Sequence, residues 1–213
     1  METFNTNNIV KIGGIIVSDL EFSHEIYDEK FYKFFIEVDR LSELKDTLPI
    51  IVSERTMNIE TIKKDLSIFI EGQFRSYNDV NENGSKLILS IFAKEIKICE
   101  IEEVSKLNEI NLEGYICKKP IYRKTPLGRE ISDILLAVNR TYKKSDYIPC
   151  ILWGRNAKYS ENIETGIKVR ISGRIQARGY DKKQLDGSIV KHTAYEVSVS
   201  KFGICEESNN IEE

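Results

Sequence analysis

The stretch IKVRISGRIQAR, residues 167–178, alternates apolar and polar side chains along its whole length and has one glycine near its middle. Successive side chains of a β-strand point to opposite faces, so Val169, Ile171 and Ile175 share one face and a row of cations lines the other. A glycine inside a strand indicates a sharp bend, as at the corner of a small closed barrel. Gly173 therefore predicts a bent barrel strand with one buried face and one basic face.

The same pattern occurs earlier in the chain. The stretch LSIFIEGQFRSY, residues 66–77, has Gly72 where the later stretch has Gly173, a shift of 101 residues. Arg40 in FFIEVDR returns as Arg140 in LLAVNR at a shift of 100. Small, growing shifts are what loop insertions produce, so the chain is predicted to be a tandem of two similar units.

Each unit reads as strand, loop, strand, strand, short helix, strand, strand. In the first unit the strands are predicted near residues 8–17, 31–41, 47–53, 66–77 and 86–98, with a helix at 57–64. In the second they are predicted near 110–117, 131–142, 146–153, 167–178 and 189–201, with a helix at 156–164 that Gly166 caps. This is the element order of the OB-fold, a five-stranded Greek-key barrel with its helix between strands three and four. We therefore expect an all-β chain of two tandem OB-folds, at 5–102 and 107–206, and a short acidic tail at 207–213.

Charge separates the two units. Residues 1–105 contain 12 Lys+Arg against 20 Asp+Glu, whereas residues 106–205 contain 19 against 10. The loop after the first strand has the same contrast: residues 118–130 hold five bases and one acid, and residues 19–31 hold five acids and one lysine. A cationic surface confined to one unit indicates a polyanionic partner for that unit.

Aromatic residues accompany the cations. In DYIPCILWGRNA, residues 146–157, strand alternation places Tyr147 and the chain's one tryptophan, Trp153, on the outward face; Tyr142 and Tyr180 flank neighbouring strands. The first unit has Ser42, Thr47, Ser53 and Tyr77 at the corresponding positions. Flat rings stack on unpaired bases and cations bind phosphates, so the second unit is predicted to bind single-stranded nucleic acid.

The predicted phosphate contacts are the basic residues around these rings: Arg123, Lys124, Arg129, Arg140, Lys143, Lys144, Arg155, Lys168, Arg170, Arg174, Arg178, Lys182 and Lys183. Taken singly, a row of charges can be a solvated face, and a ring can bury in the core or in a subunit contact. Here the row, the basic loop and the rings occur together in one unit and are mostly missing from its twin. That coincidence favours binding.

The runs TPLG, LAVNR, DYIPCILWG and GRIQARGY follow one another in the second unit. With them, residues 108–202 resemble the bacterial single-stranded DNA-binding protein (SSB) family. The resemblance implies an OB-fold that stacks bases of single-stranded DNA on Tyr142, Tyr147, Trp153 and Tyr180 during replication, repair or recombination. It also implies four OB-folds per assembly, which a homodimer of this two-unit chain would supply.

Two departures from the family leave an alternative open. Family members usually end in an acidic tip that closes on an aromatic residue and recruits replication or repair proteins, whereas EESNNIEE has no aromatic residue. The acidic first unit also lacks most of the rings. The chain is therefore either a DNA binder acting mainly through its second unit or a primosome-like or phage-like OB-fold scaffold whose acidic first unit docks a replication partner.

Other classes of function are not indicated. The four cysteines and two histidines lack metal-ligand spacing, so no metal or cofactor is expected. Neither a phosphate-binding loop nor a nucleophile motif occurs, so we expect no enzyme activity. The N-terminus has no secretion signal and no apolar run is long enough to cross a membrane, so a cytoplasmic, nucleoid-associated protein is expected.

Overall fold

The computed structural model describes residues 7–81, 84–183 and 187–205. The acidic tail predicted at 207–213 lies outside these residues. The first unit contains β1 (Asn8–Ile16), β2 (Glu21–Ile26), β3 (Glu29–Asp39), β4 (Lys45–Ser53), β5 (Ser67–Asn81) and β6 (Gly84–Ile98). The second contains β7 (Asn108–Ile116), β8 (Ile121–Lys124), β9 (Glu130–Asn139), β10 (Ser145–Trp153), β11 (Lys168–Lys183) and β12 (Ile189–Ile204).

Short helices connect the strands. Helix α1 (Ile101–Val104) links the two units, and α2 (Arg155–Ser160) follows β10. Two single-turn 3-10 helices occur at Ile59–Thr61 and Thr141–Lys143. The all-β prediction of two OB-folds is thereby confirmed, each barrel having the predicted five strands plus one short additional strand, β2 or β8.

Each unit closes its barrel through its first strand and its last strand. β1 pairs antiparallel with both β5 and β3, and β4 pairs in parallel with β6. In the second unit, β7 pairs antiparallel with both β11 and β9, and β10 pairs in parallel with β12. The inward residues of these strands are apolar, and the two cores meet in one buried cluster. The polar face of each strand therefore remains outside.

The two mid-strand glycines lie where the long strands bend. The β5–β6 register shifts between Glu71 and Gly72, and the β11–β12 register shifts between Ser172 and Gly173. A Cβ at Gly72 would collide with the Phe92 carbonyl oxygen, and one at Gly173 with the Ser198 carbonyl oxygen. Only glycine permits the backbones to approach this closely.

Several element predictions need correction. The loops after β1 and β7 contain the strands β2 and β8, which were predicted as loop. The helix predicted at 57–64 is only the 3-10 turn Ile59–Thr61, because the β-branched residues of this segment favour helix weakly. Helix α2 ends at its C-cap residue Glu161, so Gly166, at φ 89°, belongs to a later turn.

The two units join edge to edge. β1 pairs antiparallel with β7, with Val10 opposite Ile110, so all strands form one 12-stranded sheet. Its order is β2-β3-β4-β6-β5-β1-β7-β11-β12-β10-β9-β8. This arrangement brings β4 of the first unit against β11 of the second.

A pair of mirrored polar contacts fixes this arrangement. Asp46 accepts hydrogen bonds from Arg40 and from the Ala177 backbone N–H of the other unit, at 2.7 Å for Arg40 Nε and for Ala177 N. Asp146, correspondingly, accepts from Arg140 Nε and the Ser76 backbone N–H, both at 2.6 Å. We call these two contacts the Asp46 tie and the Asp146 tie.

Candidate nucleic-acid interface

The single tryptophan lies in an open groove on the second unit. Trp153 ends β10 with 37% of its surface exposed, and its indole N–H donates to Ser198 Oγ on β12 at 3.0 Å. The groove, which we call the Trp153 groove, is lined by Arg40, Arg129, Trp153, Arg174, Gln176, Ala177, Arg178, Gly179 and Ser198. An exposed ring and four guanidinium groups therefore share one concave surface.

Arg174 has an unpaired donor at this surface. Its Nη1 is buried and has no hydrogen-bond partner among the described residues, the Asp46 carboxylate being 3.8 Å away. Burial, followed by the nearby charge of Arg40, lowers the pKa of Arg174. An acceptor that carries negative charge, such as a phosphate oxygen, would satisfy this donor and favour its charged form.

The other two arginines of the second unit keep more of their surface in solvent. The Arg178 side chain is 57% exposed and its Nε lies 3.4 Å from Glu196 Oε2. Arg129 is exposed at the end of the loop before β9. A guanidinium group presents a rigid fork of donors that matches the geometry of a phosphate.

Arg40 comes from the first unit and was not predicted as a site residue. It donates to Asp46 and, through Nη2, to the Ala177 carbonyl at 3.0 Å. The hydrogen bonds to Asp46 raise the pKa of Arg40 most strongly. The first unit therefore supplies one wall of the groove. The sequence signal that could have identified Arg40 is its pairing with Asp46, six residues later, which recurs as Arg140 and Asp146.

Arg140, which was predicted to bind phosphate, lies at the contact between the two units. Its guanidinium is committed to Asp146 and to the Ser76 carbonyl, the latter at 2.8 Å. These are the mirrored contacts of Arg40 on the opposite side of the junction. Arg140 therefore contributes to the contact between the units, and its phosphate contact stays a prediction.

The remaining predicted rings have different surroundings. Tyr147 is 43% exposed on β10, and its backbone N–H donates to Ser76 Oγ of the first unit at 2.7 Å. Tyr180 is 40% exposed on β11 and stacks on His192 with ring centroids 5.5 Å apart. The side chain of Tyr142, in the turn after β9, lies outside the described part of the structure. Neither Tyr147 nor Tyr180 lines the Trp153 groove.

Some of the predicted cations are paired with acids. Lys168 and Arg170 both contact Glu113 on β7 at 2.6 Å, which holds the pKa of Glu113 below its usual range. Arg123 lies 2.8 Å from Asp133, and Lys124 lies 3.9 Å from Glu130. The other predicted cations are exposed: Lys143, Lys144, Arg155, Lys182 and Lys183.

On the corresponding face of the first unit, an aromatic residue, Phe92, lies on the neighbouring strand β6. Phe92 on β6 corresponds to Ser198, since Ile51 pairs with Phe92 as Ile151 pairs with Ser198. Ser53 stands where the second unit has Trp153. The Arg75 guanidinium lies 4.2 Å above the Phe92 ring and covers it. This face therefore offers a bound base no free ring at the place of Trp153.

The strand registers also revise one match between the units. Asn8 hydrogen-bonds both backbone groups of Phe74, and Asn108 does the same for Ile175. These equivalent contacts align Phe74 of β5 with Ile175 of β11, a difference of 101 residues. By the same difference, Tyr77 corresponds to Arg178. Tyr180, which was matched with Tyr77, corresponds to Asp79.

The described residues contain neither a metal-binding cluster nor a membrane-spanning helix. No group of three or more histidine, cysteine or acidic residues in ranges 7–81, 84–183 and 187–205 is placed to hold a metal ion. Over the same ranges, no helix has the length and apolar character needed to span a bilayer.

Comparison with known proteins places these features in context. Residues 107–205 match the model of the "Single-strand binding protein family". The chain is 35% identical over 114 residues to single-stranded DNA-binding protein 3 of Clostridium acetobutylicum, a match that spans 49% of this chain and 76% of that one. It is 35% identical over 85 residues to single-stranded DNA-binding protein A of Bacillus subtilis, covering 37% of this chain and 49% of that one. The resemblance predicted from the sequence is thereby confirmed.

A solved structure resembles almost the whole chain. The crystal structure of the wild-type single-stranded DNA-binding protein from Thermus aquaticus has a TM-score of 0.73 and 17% sequence identity to this chain. The similarity covers 94% of this chain and 93% of that one. At this identity it establishes a shared fold across both units.

Proposed function

We infer that this chain, which belongs to the single-strand binding protein family, binds single-stranded DNA through the Trp153 groove of its second unit. The observation that carries the inference is the exposed Trp153 ring beside Arg129, Arg174 and Arg178. Rings of this kind stack on bases of any sequence, and guanidinium groups contact the phosphates between them. The binding is accordingly tolerant of sequence.

The exposed residues around the groove extend the proposed site. Tyr147 and Tyr180 offer two further exposed rings on β10 and β11. The exposed cations Lys143, Lys144, Arg155, Lys182 and Lys183 add phosphate contacts at the periphery. Four further cations contact phosphates after their ion pairs with acidic neighbours break: Arg123, Lys124, Lys168 and Arg170. Tyr142 remains a predicted base-stacking residue, which the family resemblance alone supports.

In the proposed function, the two units have different roles. The second unit holds the strand, while the first contributes Arg40 and the Asp46 tie and has no free ring at the place of Trp153. Two such chains would provide four OB-folds, the number that the family resemblance implies. A protein with this activity would protect exposed strands in the nucleoid during replication, repair or recombination, without catalysis. The names of the relatives specify DNA binding and so do not favour the scaffold alternative.

The direct test is removal of the rings. We expect the full chain to bind a labelled oligo-dT with quenching of the Trp153 fluorescence. The double variant Trp153→Ala with Tyr147→Ala should weaken binding about 100-fold in fluorescence anisotropy, because each stacked base contributes roughly 1–3 kcal/mol. Tyr27→Ala is the matched control, since Tyr27 is a 95% exposed ring on the first unit. Unchanged affinity of the double variant would refute the proposed stacking site.

A further inference from the structure

The 12-stranded sheet has two open edges. In the described residues, β2 at one end pairs only with β3, and β8 at the other end pairs only with β9. A strand at a sheet edge presents a row of unpaired backbone N–H and C=O groups, which are a template for pairing with another chain. These edges belong to different units.

The β2 edge is acidic and exposed. Every residue of β2 is exposed, including Glu21 and Glu25, and neither carboxylate forms an ion pair with a described residue. Asp28 in the following turn adds a third exposed acid. Large apolar side chains lie among these charges, with Phe22 60% and Ile26 50% exposed.

The β8 edge has the opposite charge and a similar apolar content. Lys118 and Lys119 precede the strand, and Lys124, which lies 3.9 Å from Glu130, ends it; all three are exposed. Ile121 is 63% exposed and Leu127 is 85% exposed in the same segment. An exposed apolar group rimmed by charge is typical of a protein contact surface.

Each edge carries predominantly one sign of charge, and this restricts what it can pair with. Two acidic edges or two basic edges would repel each other, whereas an acidic edge and a basic edge attract. Charged edge strands commonly prevent edge-to-edge association, but that protection fails when the second surface has the opposite charge. The β8 edge of another copy therefore offers β2 a sheet edge of opposite charge.

We propose that the β2 edge of one copy docks on the β8 edge of a second copy. The carboxylates of Glu21 and Glu25 face the ammonium groups of Lys119 and Lys124, and the exposed apolar side chains of both edges are buried between them. The contact is heterologous, because different surfaces of the two copies meet. It goes beyond DNA binding: it gives the acidic first unit a role in placing copies side by side.

Charge reversal tests this contact in the DNA-free full chain. Sedimentation velocity of the wild-type protein should show self-association that weakens as salt is raised. Reversing the acidic edge with Glu21→Lys and Glu25→Lys, or the basic edge with Lys119→Glu and Lys124→Glu, should weaken association about tenfold or more. Mixing the two reversed proteins should restore association, because their edges are again complementary.

The control carries the same charge change away from the edge. Glu102→Lys with Glu103→Lys alters two exposed acids of α1 and should leave self-association unchanged. Circular dichroism verifies that each variant is folded. Absence of self-association in the wild-type protein, or a mixture of reversed variants that stays dissociated, would overturn the contact. Because no DNA is present, either result leaves the DNA-binding proposal to be judged on its own test.

Discussion

Among single residues, Asp46 links the acidic first unit to the basic second unit. Its carboxylate is 1% exposed and accepts hydrogen bonds from Arg40 of its own unit and from the Ala177 backbone of the other. Ala177 lies between the two groove residues Arg174 and Arg178 on β11. The buried tie therefore positions the part of the strand that carries the proposed phosphate contacts.

Loss of this carboxylate should destabilise the protein. We expect Asp46→Asn to lower the free energy of unfolding by about 3 kcal/mol, because Arg40 would lose its partner in a buried site. Asp146→Asn should have a similar effect, since its tie is the mirrored one. Urea denaturation measures both.

Asp39→Asn is the matched control for these substitutions. The Asp39 side chain is 40% exposed and lies 3.9 Å from Lys45, so its replacement should change the free energy of unfolding by less than about 0.5 kcal/mol. If Asp46→Asn were as mild as this control, the tie would contribute little and the account of the unit junction would be wrong.

The sequence identified some site residues better than others, for a physical reason. Trp153 and Tyr147 could be placed outside the barrel because the period of two fixes the face on which each strand residue lies. Arg40 was missed, and the contact of Arg140 with the first unit was not predicted, since each meets a backbone group of the other unit. Such contacts depend on how two barrels pack, and a local pattern contains no information about that.

At the scale of elements, the bend in β11 is decided by Gly173. The residue lies at the register shift, with the Ser198 carbonyl so close that a side chain has no room. We expect Gly173→Ala to destabilise the protein by about 1–3 kcal/mol, as overpacking does elsewhere. A thermal or urea unfolding curve provides the value.

Gly179 on the same strand is the control for this substitution. A Cβ there would meet no heavy atom within 4 Å. Gly179→Ala should therefore change stability by no more than about 0.5 kcal/mol in either direction. Equal effects at both glycines would mean that the bend does not depend on the close approach at Gly173.

The long strands were predictable because their apolar alternation and central glycine are strong local signals. The strands β2 and β8 were missed because they lie in charged segments and pair on one side only. Their side chains bury little apolar surface, so their sequences differ little from those of loops. The 3-10 turn at Ile59–Thr61 was predicted as a longer helix because the repeat suggested that both units were alike.

At the scale of the whole molecule, the chain is a pair of OB-folds joined through β1 and β7 with a mirrored tie on each side of the junction. The repeat in the sequence predicted the two barrels but not the pairing between them. The outer faces have diverged: the second unit presents Trp153 among arginines, while in the first unit Arg75 covers the Phe92 ring. The molecule therefore has a symmetric framework and an asymmetric surface.

The measurement that tests this asymmetry most directly is the salt dependence of oligo-dT binding by the full chain. Each phosphate neutralised contributes about 0.7 to the slope of log affinity against log salt, so Arg174→Gln with Arg178→Gln should make the slope shallower by about 1.4. Lys63→Gln with Lys64→Gln removes two exposed cations from the first unit and should leave it unchanged. A slope that is unaffected by the groove variant, or equally reduced by both, would contradict binding through the Trp153 groove.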